Sequence, residues 1–107
     1  MDNDLQHDFD SIAKFASMKY TQPTLERLEN IVEESGYVIR YERGTFQSGY
    51  CILEQRKVVV LNKFLPVEGR INTLLDIIPQ LVVQPESLSE DSRRTYEEVM
   101  AKHGAES

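Results

Sequence analysis

One cysteine, two histidines and no long apolar run are the first features of this 107-residue chain. The lone Cys51 has no partner for an internal disulfide and sits inside a β-rich stretch, where a thiol acts as a small apolar side chain. No run approaches the roughly 20 apolar residues that a membrane helix needs. The opening MDNDLQHDFD is acidic and has no apolar core, unlike a signal peptide. These features lead to the expectation of a cytoplasmic protein. Gly44 and Gly49 bracket a loop between strands instead of leading into a helix, which excludes a phosphate-binding glycine loop. His7 and His103 lie near the ends, and neither has a plausible nucleophilic partner in sequence, which leaves pairing in space open. There is no repeat and no low-complexity segment. The pattern calls for no cofactor and names no catalytic residue.

What is present is ordinary for a folded domain: 40% hydrophobic and 28% charged residues, with a net charge of −6. The charge is uneven. Residues 36–65 hold Arg40, Arg43, Arg56, Lys57 and Lys63 against Glu42 and Glu54, a balance of +3, so the remainder carries −9. A mildly basic sheet between acidic helices is expected, and the acidic total argues against general nucleic-acid affinity.

The chain is organised around residues 36–65. Three short strands are expected at 37–41, 50–54 and 57–62, from their β-branched and aromatic content and the glycines around them. Tyr37, Ile39 and Tyr41 alternate with Val38, Arg40 and Glu42, so the first strand shows one face to water. Residues 58–61 are apolar at every position, so both faces of that strand should be covered. The short links suggest an antiparallel meander, with a hairpin at 44–49.

Helices flank the strands. Leu25, Leu28, Ile31 and Val32 form one stripe after a capping Thr21 and Pro23, and Gly36 supplies a left-handed stop. Val67, Ile71, Leu74, Leu75 and Ile78 form another stripe over 66–78, ended by Pro79. Residues 80–85 read as an extended connector, packed through Leu81 and Val83. Residues 87–90 then read as a capping box for a last helix stopped by Gly104. The expected fold class is α+β: a three-stranded antiparallel meander against two helices, in the order α-(α)-β-β-β-α-α. Residues 1–20 form an amphipathic N-terminal helix through Leu5, Phe9, Ile12, Ala13 and Ala16, residues 21–83 the core domain, and residues 84–107 a C-terminal helix and tail. Both terminal helices are expected at the periphery, and either could join a homodimer interface.

The order of elements over about residues 24–81, and within it the run from Ser48 to Leu81, resembles the minimal zinc-metallopeptidase domain of the ImmA/IrrE type. Val59, Val60, Leu61 and Asn62 match the strand end of that family. Leu65 through Arg70 resembles its Pro- and Glu-containing linker, and Thr73, Leu74 and Leu75 match the approach to its metal-binding helix. The resemblance implies zinc histidines at Asp76 and Gln80 and a catalytic glutamate at Ile77. Zinc hydrolysis needs two imidazoles one turn apart and a carboxylate beside them. This chain has none of the three, so the resemblance implies a degenerate scaffold that has lost its metal site.

The expectation is therefore a non-catalytic protein-interaction or regulatory module with an unidentified protein partner. Its candidate contact residues are Tyr41, Arg43, Phe46 and Tyr50, because aromatic and arginine side chains anchor interfaces. Asp76 and Gln80 form a second, weaker candidate polar site. Two alternatives stand beside this reading. One is a metal-dependent hydrolase rearranged around Asp76. The other is single-stranded nucleic-acid binding through stacked tyrosines, which needs Tyr37, Tyr41 or Tyr50 exposed.

Overall fold

The computed structural model describes residues 18–43 and 49–106, with side chains to residue 104. The expected N-terminal helix lies outside the described residues up to residue 17, and residues 18–20 are irregular. The described residues form three helices, α1 (Gln22–Glu34), α2 (Val67–Ile77) and α3 (Glu90–Glu106), and a sheet of β1 (Val38–Glu42), β2 (Tyr50–Leu53) and β3 (Val58–Asn62). The class is α+β.

The sheet is not a meander. Its order is β1-β3-β2, with β1 parallel to β3 and β2 antiparallel to it. The strand that is apolar at every position therefore takes the centre, where neighbours shield both its faces. β1 and β2 are not paired, so no hairpin joins them, and the 43–49 link connects the two edges of the sheet. That step of two strand spacings, about 10 Å, is well within the reach of seven residues at ~3.3 Å each. Glycines at its ends allowed either geometry, and burial of Val59 and Leu61 decided between them.

Register fixes the two faces. Ile39, Val59 and Ile52 align across the strands, as do Tyr41, Leu61 and Tyr50, and these six side chains face the helices. Val38, Val58 and Leu53 align on the outer face, as do Arg40, Val60 and Cys51. The expected alternation of β1 holds. The β2–β3 link is a four-residue turn through a 3-10 segment, Glu54–Arg56, with Lys57 in the left-handed region at φ 54°. A two-residue primed turn requires left-handed backbone at its centre, and Gln55-Arg56 has no glycine or asparagine to supply it.

Leu25, Leu28, Ile31 and Val32 of α1 are all buried, as their spacing requires. Gly36, at φ +93°, closes α1: its N–H donates to Glu33 O at 3.0 Å, and that of Tyr37 to Val32 O at 3.2 Å. This paired arrangement is the Schellman stop. In α2 the buried residues are Ile71, Leu74 and Ile77, with Val67 and Leu75 half-buried. Pro66 precedes the helix and Pro79 sits in the 3-10 turn Ile78–Gln80 that follows it.

The C-terminal helix is part of the core and not peripheral. Val99 is only 1% exposed, and Leu88, Ser92 and Thr95 are buried too. Ser89, not Ser87, precedes α3, and the helix runs through Gly104 without stopping there. A carboxylate from α1 secures the docking. Glu34 accepts hydrogen bonds from Ser89 N at 2.7 Å, Ser89 Oγ at 3.1 Å and Ser92 Oγ at 2.8 Å. A negative group at a helix N-terminus satisfies unpaired N–H groups and the helix dipole together. Tyr37, 2% exposed, makes a second tie. Its hydroxyl donates to Glu54 Oε1 at 3.1 Å and accepts from Val82 N at 3.3 Å, joining β1, the turn and the connector.

Candidate functional site

The two expected polar residues do meet. Asp76 and Gln80 lie one turn apart, and Gln80 Nε2 donates to Asp76 O at 2.9 Å. Tyr50 reaches them from β2: its hydroxyl donates to Asp76 Oδ2 at 2.8 Å and accepts from Gln80 Nε2 at 3.0 Å. The Gln80 N–H favours the ionised phenol. The Asp76 carboxylate accepting the hydroxyl, together with partial burial, outweighs it and holds Tyr50 above the ordinary phenol range.

Ile77, where the resemblance implies a catalytic glutamate, is 0% exposed and packs in the core. Its direction is inward, away from the Asp76–Gln80 surface. Among the described residues no three His, Cys, Asp or Glu side chains gather where they could hold a metal ion. The cluster offers one carboxylate, one amide and one phenol, already bonded to one another.

The expected interaction set does not assemble. Tyr41 and Tyr50 lie on opposite edge strands with Leu61 between them. Tyr41 is half-buried and its hydroxyl donates to Glu29 of α1. Burial first, then the Glu29 carboxylate, raises its pKa well above the phenol range. Phe46 lies outside the described residues. Of the tyrosines that the nucleic-acid reading needs, Tyr37 is buried, and Tyr41 and Tyr50 are half-buried with their hydroxyls bonded to carboxylates.

Arg43 instead joins a group the sequence reading passed over. Phe64 is 63% exposed, with the Arg43 guanidinium 5.7 Å and the Lys63 ammonium 5.3 Å from its ring centre. The parallel pairing of β1 and β3 produces this cluster, because it brings residues just after both strands to one end of the sheet. Lys63 N donates to Glu42 O at 3.0 Å across that end. The turn carrying Phe64 is held from both sides. Asn62 Oδ1 accepts from Phe64 N at 3.0 Å, a local side-chain turn. Arg70 of α2 donates through Nε to Leu65 O at 2.9 Å and through Nη2 to Lys63 O at 3.0 Å. Gly69 lets the turn lie close, since a Cβ there would come within 3.2 Å of Leu65 Cδ2 and 3.3 Å of Pro66 Cδ. The one sequence signal for this group is Lys63-Phe64, an aromatic beside a cation in a linker too short to fold back over it.

A second cleft opens between α2 and α3, of about 250 Å³, lined by Asn72, Leu75 and Asp76 on one wall and Val99, Lys102 and His103 on the other. Tyr20 closes one end, its hydroxyl donating to Asn72 Oδ1 at 2.8 Å. His103, remote from Asp76 in the chain, thus shares a cleft with it. His7 lies outside the described residues. No described helix is long and apolar enough to cross a membrane. Compared with known proteins, the chain matches no family model, no curated protein and no solved structure.

Proposed function

We propose that this chain is a non-catalytic protein-interaction module whose contact surface is the Arg43–Lys63–Phe64 end of the sheet. The single observation that carries the reading is an aromatic ring 63% exposed between two cations on a braced turn. A ring held on a braced turn loses little conformational freedom on binding, and aromatic and arginine side chains are common interface anchors. With Arg70 beside it, the patch is basic on a chain of net charge −6. The partner it fits is an acidic protein surface with an apolar recess for the ring.

The scaffold reading rests on other residues. A metallopeptidase-like domain of the ImmA/IrrE type with Ile77 in place of its glutamate would keep the fold and use another surface. Support for it is limited to the matched residues 59–62, 65–70 and 73–75 and to the pairing of Asp76 with Gln80 on one face.

Quantitative affinity capture with the full chain, Phe64→Ala, and Gln22→Ala on exposed α1 tests the reading. Preys lost with Phe64→Ala but kept with Gln22→Ala are expected. Identical prey profiles for all three would remove the patch from consideration.

A further inference from the structure

β1 is one edge of the sheet, and its bonds to β3 fix where its backbone groups point. Val38 N donates to Lys57 O at 2.8 Å, and Glu42 O accepts from Lys63 N at 3.0 Å. In a parallel ladder of that register, residues 38, 40 and 42 bond inward to β3. Ile39 and Tyr41 therefore turn their N–H and C=O groups to the open edge. Among the described residues no backbone hydrogen bond outside the sheet engages them. Open edges are usually blunted by charge. Here the charges are of both signs. The Arg40 and Glu42 side chains lie on the outer face 3.3 Å apart, 62% and 48% exposed.

We infer that β1 pairs with β1 of a second copy of this chain, antiparallel about a two-fold axis at Tyr41. The contact joins two three-stranded sheets into one continuous sheet. The order of charges in the strand selects both the occupant and the register. Centred on Tyr41, Arg40 of each copy faces Glu42 of the other, so opposite charges meet twice at the close, non-hydrogen-bonded positions. Centred on Arg40 or on Glu42, like charges face each other. Centred on Ile39, Tyr37 would have to donate across the axis, and its N–H is already held by Val32 O at 3.2 Å. The Tyr41 register also uses the outward groups in full. Tyr41 exchanges N–H and C=O bonds with its own copy, and Ile39 does so with Arg43. A foreign strand of one charge sign would set a like charge against Arg40 or Glu42, whereas the chain's own β1 carries the matching order. One short strand on each side is a small interface, so the association is weak and reversible.

Sedimentation velocity of the full chain from ~10 µM to ~1 mM tests this, with Arg40→Glu, Glu42→Arg and an equal mixture of the two variants. The parent is expected to pass from monomer to dimer with a Kd of about 100 µM. Either variant alone sets like charges against each other at both close positions, and its Kd should rise about tenfold. The mixture restores opposite charges, because the two acids of one variant face the two arginines of the other. It should associate about tenfold more tightly than either component. In the parent, amide exchange at Ile39 and Tyr41 should slow as concentration rises. Both substituted side chains are exposed, and circular dichroism checks that each variant is folded. A parent that stays monomeric to ~1 mM would leave the edge to a foreign strand or to none, and would overturn the proposal. So would variants that dimerise like the parent, which puts the contact on another surface, or a mixture no tighter than its components.

Discussion

The Arg70 guanidinium lies 4.4 Å above the Tyr41 ring, while its nitrogens hold the carbonyls of Lys63 and Leu65. One side chain from α2 thus joins β1 to the turn after β3. Tyr41 is locked from its other end by Glu29 of α1. The arrangement couples both helices to the end of the sheet that presents Phe64.

Arg70→Ala is therefore expected to destabilise by about 2 kcal/mol, the sum of two hydrogen bonds and a cation–π contact. Lysine should restore less than half, because an ammonium cannot span two carbonyls and cover a ring at once. Urea denaturation measures both. A loss below ~0.5 kcal/mol for Arg70→Ala would mean the brace is absent in solution.

Tyr41→Phe is expected to cost about 1 kcal/mol near neutral pH. Its pH dependence has a defined sign. The folded pKa of Tyr41 is raised above its ordinary 10.0, so its contribution is full below pH 10 and is lost as pH rises further. The variant should flatten the alkaline limb of stability against pH.

Glu34 has the opposite sign. The Ser89 N–H first, helped by the hydroxyls of Ser92 and Ser89, holds its pKa below the ordinary 4.5 against a burial penalty larger than either hydroxyl's effect. Its contribution is complete above that value and fades as pH falls through the lowered pKa. Glu34→Gln should flatten the acid limb. Being at the surface, it should cost no more than about 1 kcal/mol at pH 7. An acid limb unchanged from the parent would show that α3 is not held there.

Ile77→Glu would place a carboxylate where the resemblance implies one, but at a position facing the core. We expect a loss of more than about 4 kcal/mol, against ~0.5–1.5 kcal/mol for Ile77→Val. Thermal unfolding decides it. A glutamate tolerated at position 77 would mean that this helix face can turn outward.

Phe64→Ala should change stability by less than ~0.5 kcal/mol, since the ring is mostly in water. That separation matters for the interaction reading, because any lost partner is then not a consequence of unfolding. Circular dichroism melting of the same preparation used for capture is the check.

Much of the architecture was legible locally. The α1 stripe, the Gly36 stop, the alternation of β1 and the apolar centre of β3 all depend on side-chain periodicity or on one backbone angle. The candidate site was less so. Asp76 and Gln80 meet because four residues make one helical turn, which sequence reveals. Their bond to Tyr50, the pairing of Arg43 with Phe64, and the sharing of a cleft by Asp76, Lys102 and His103 are contacts between segments far apart in the chain. Glu29 and Glu34 read as solvated charges on an outer helix face, yet each holds another element in place.

By itself the sequence determined which residues form helices and strands and which faces are apolar, because these follow from neighbours three or four residues away, or two. It did not determine strand order. Links of seven and four residues permit a meander or a crossing, and the choice fell to the tertiary structure, where placing β3 at the centre buries Val59 and Leu61 beneath two helices. That one choice sets the ends of β1 and β3 side by side at one end of the sheet, and with them the cations that flank Phe64.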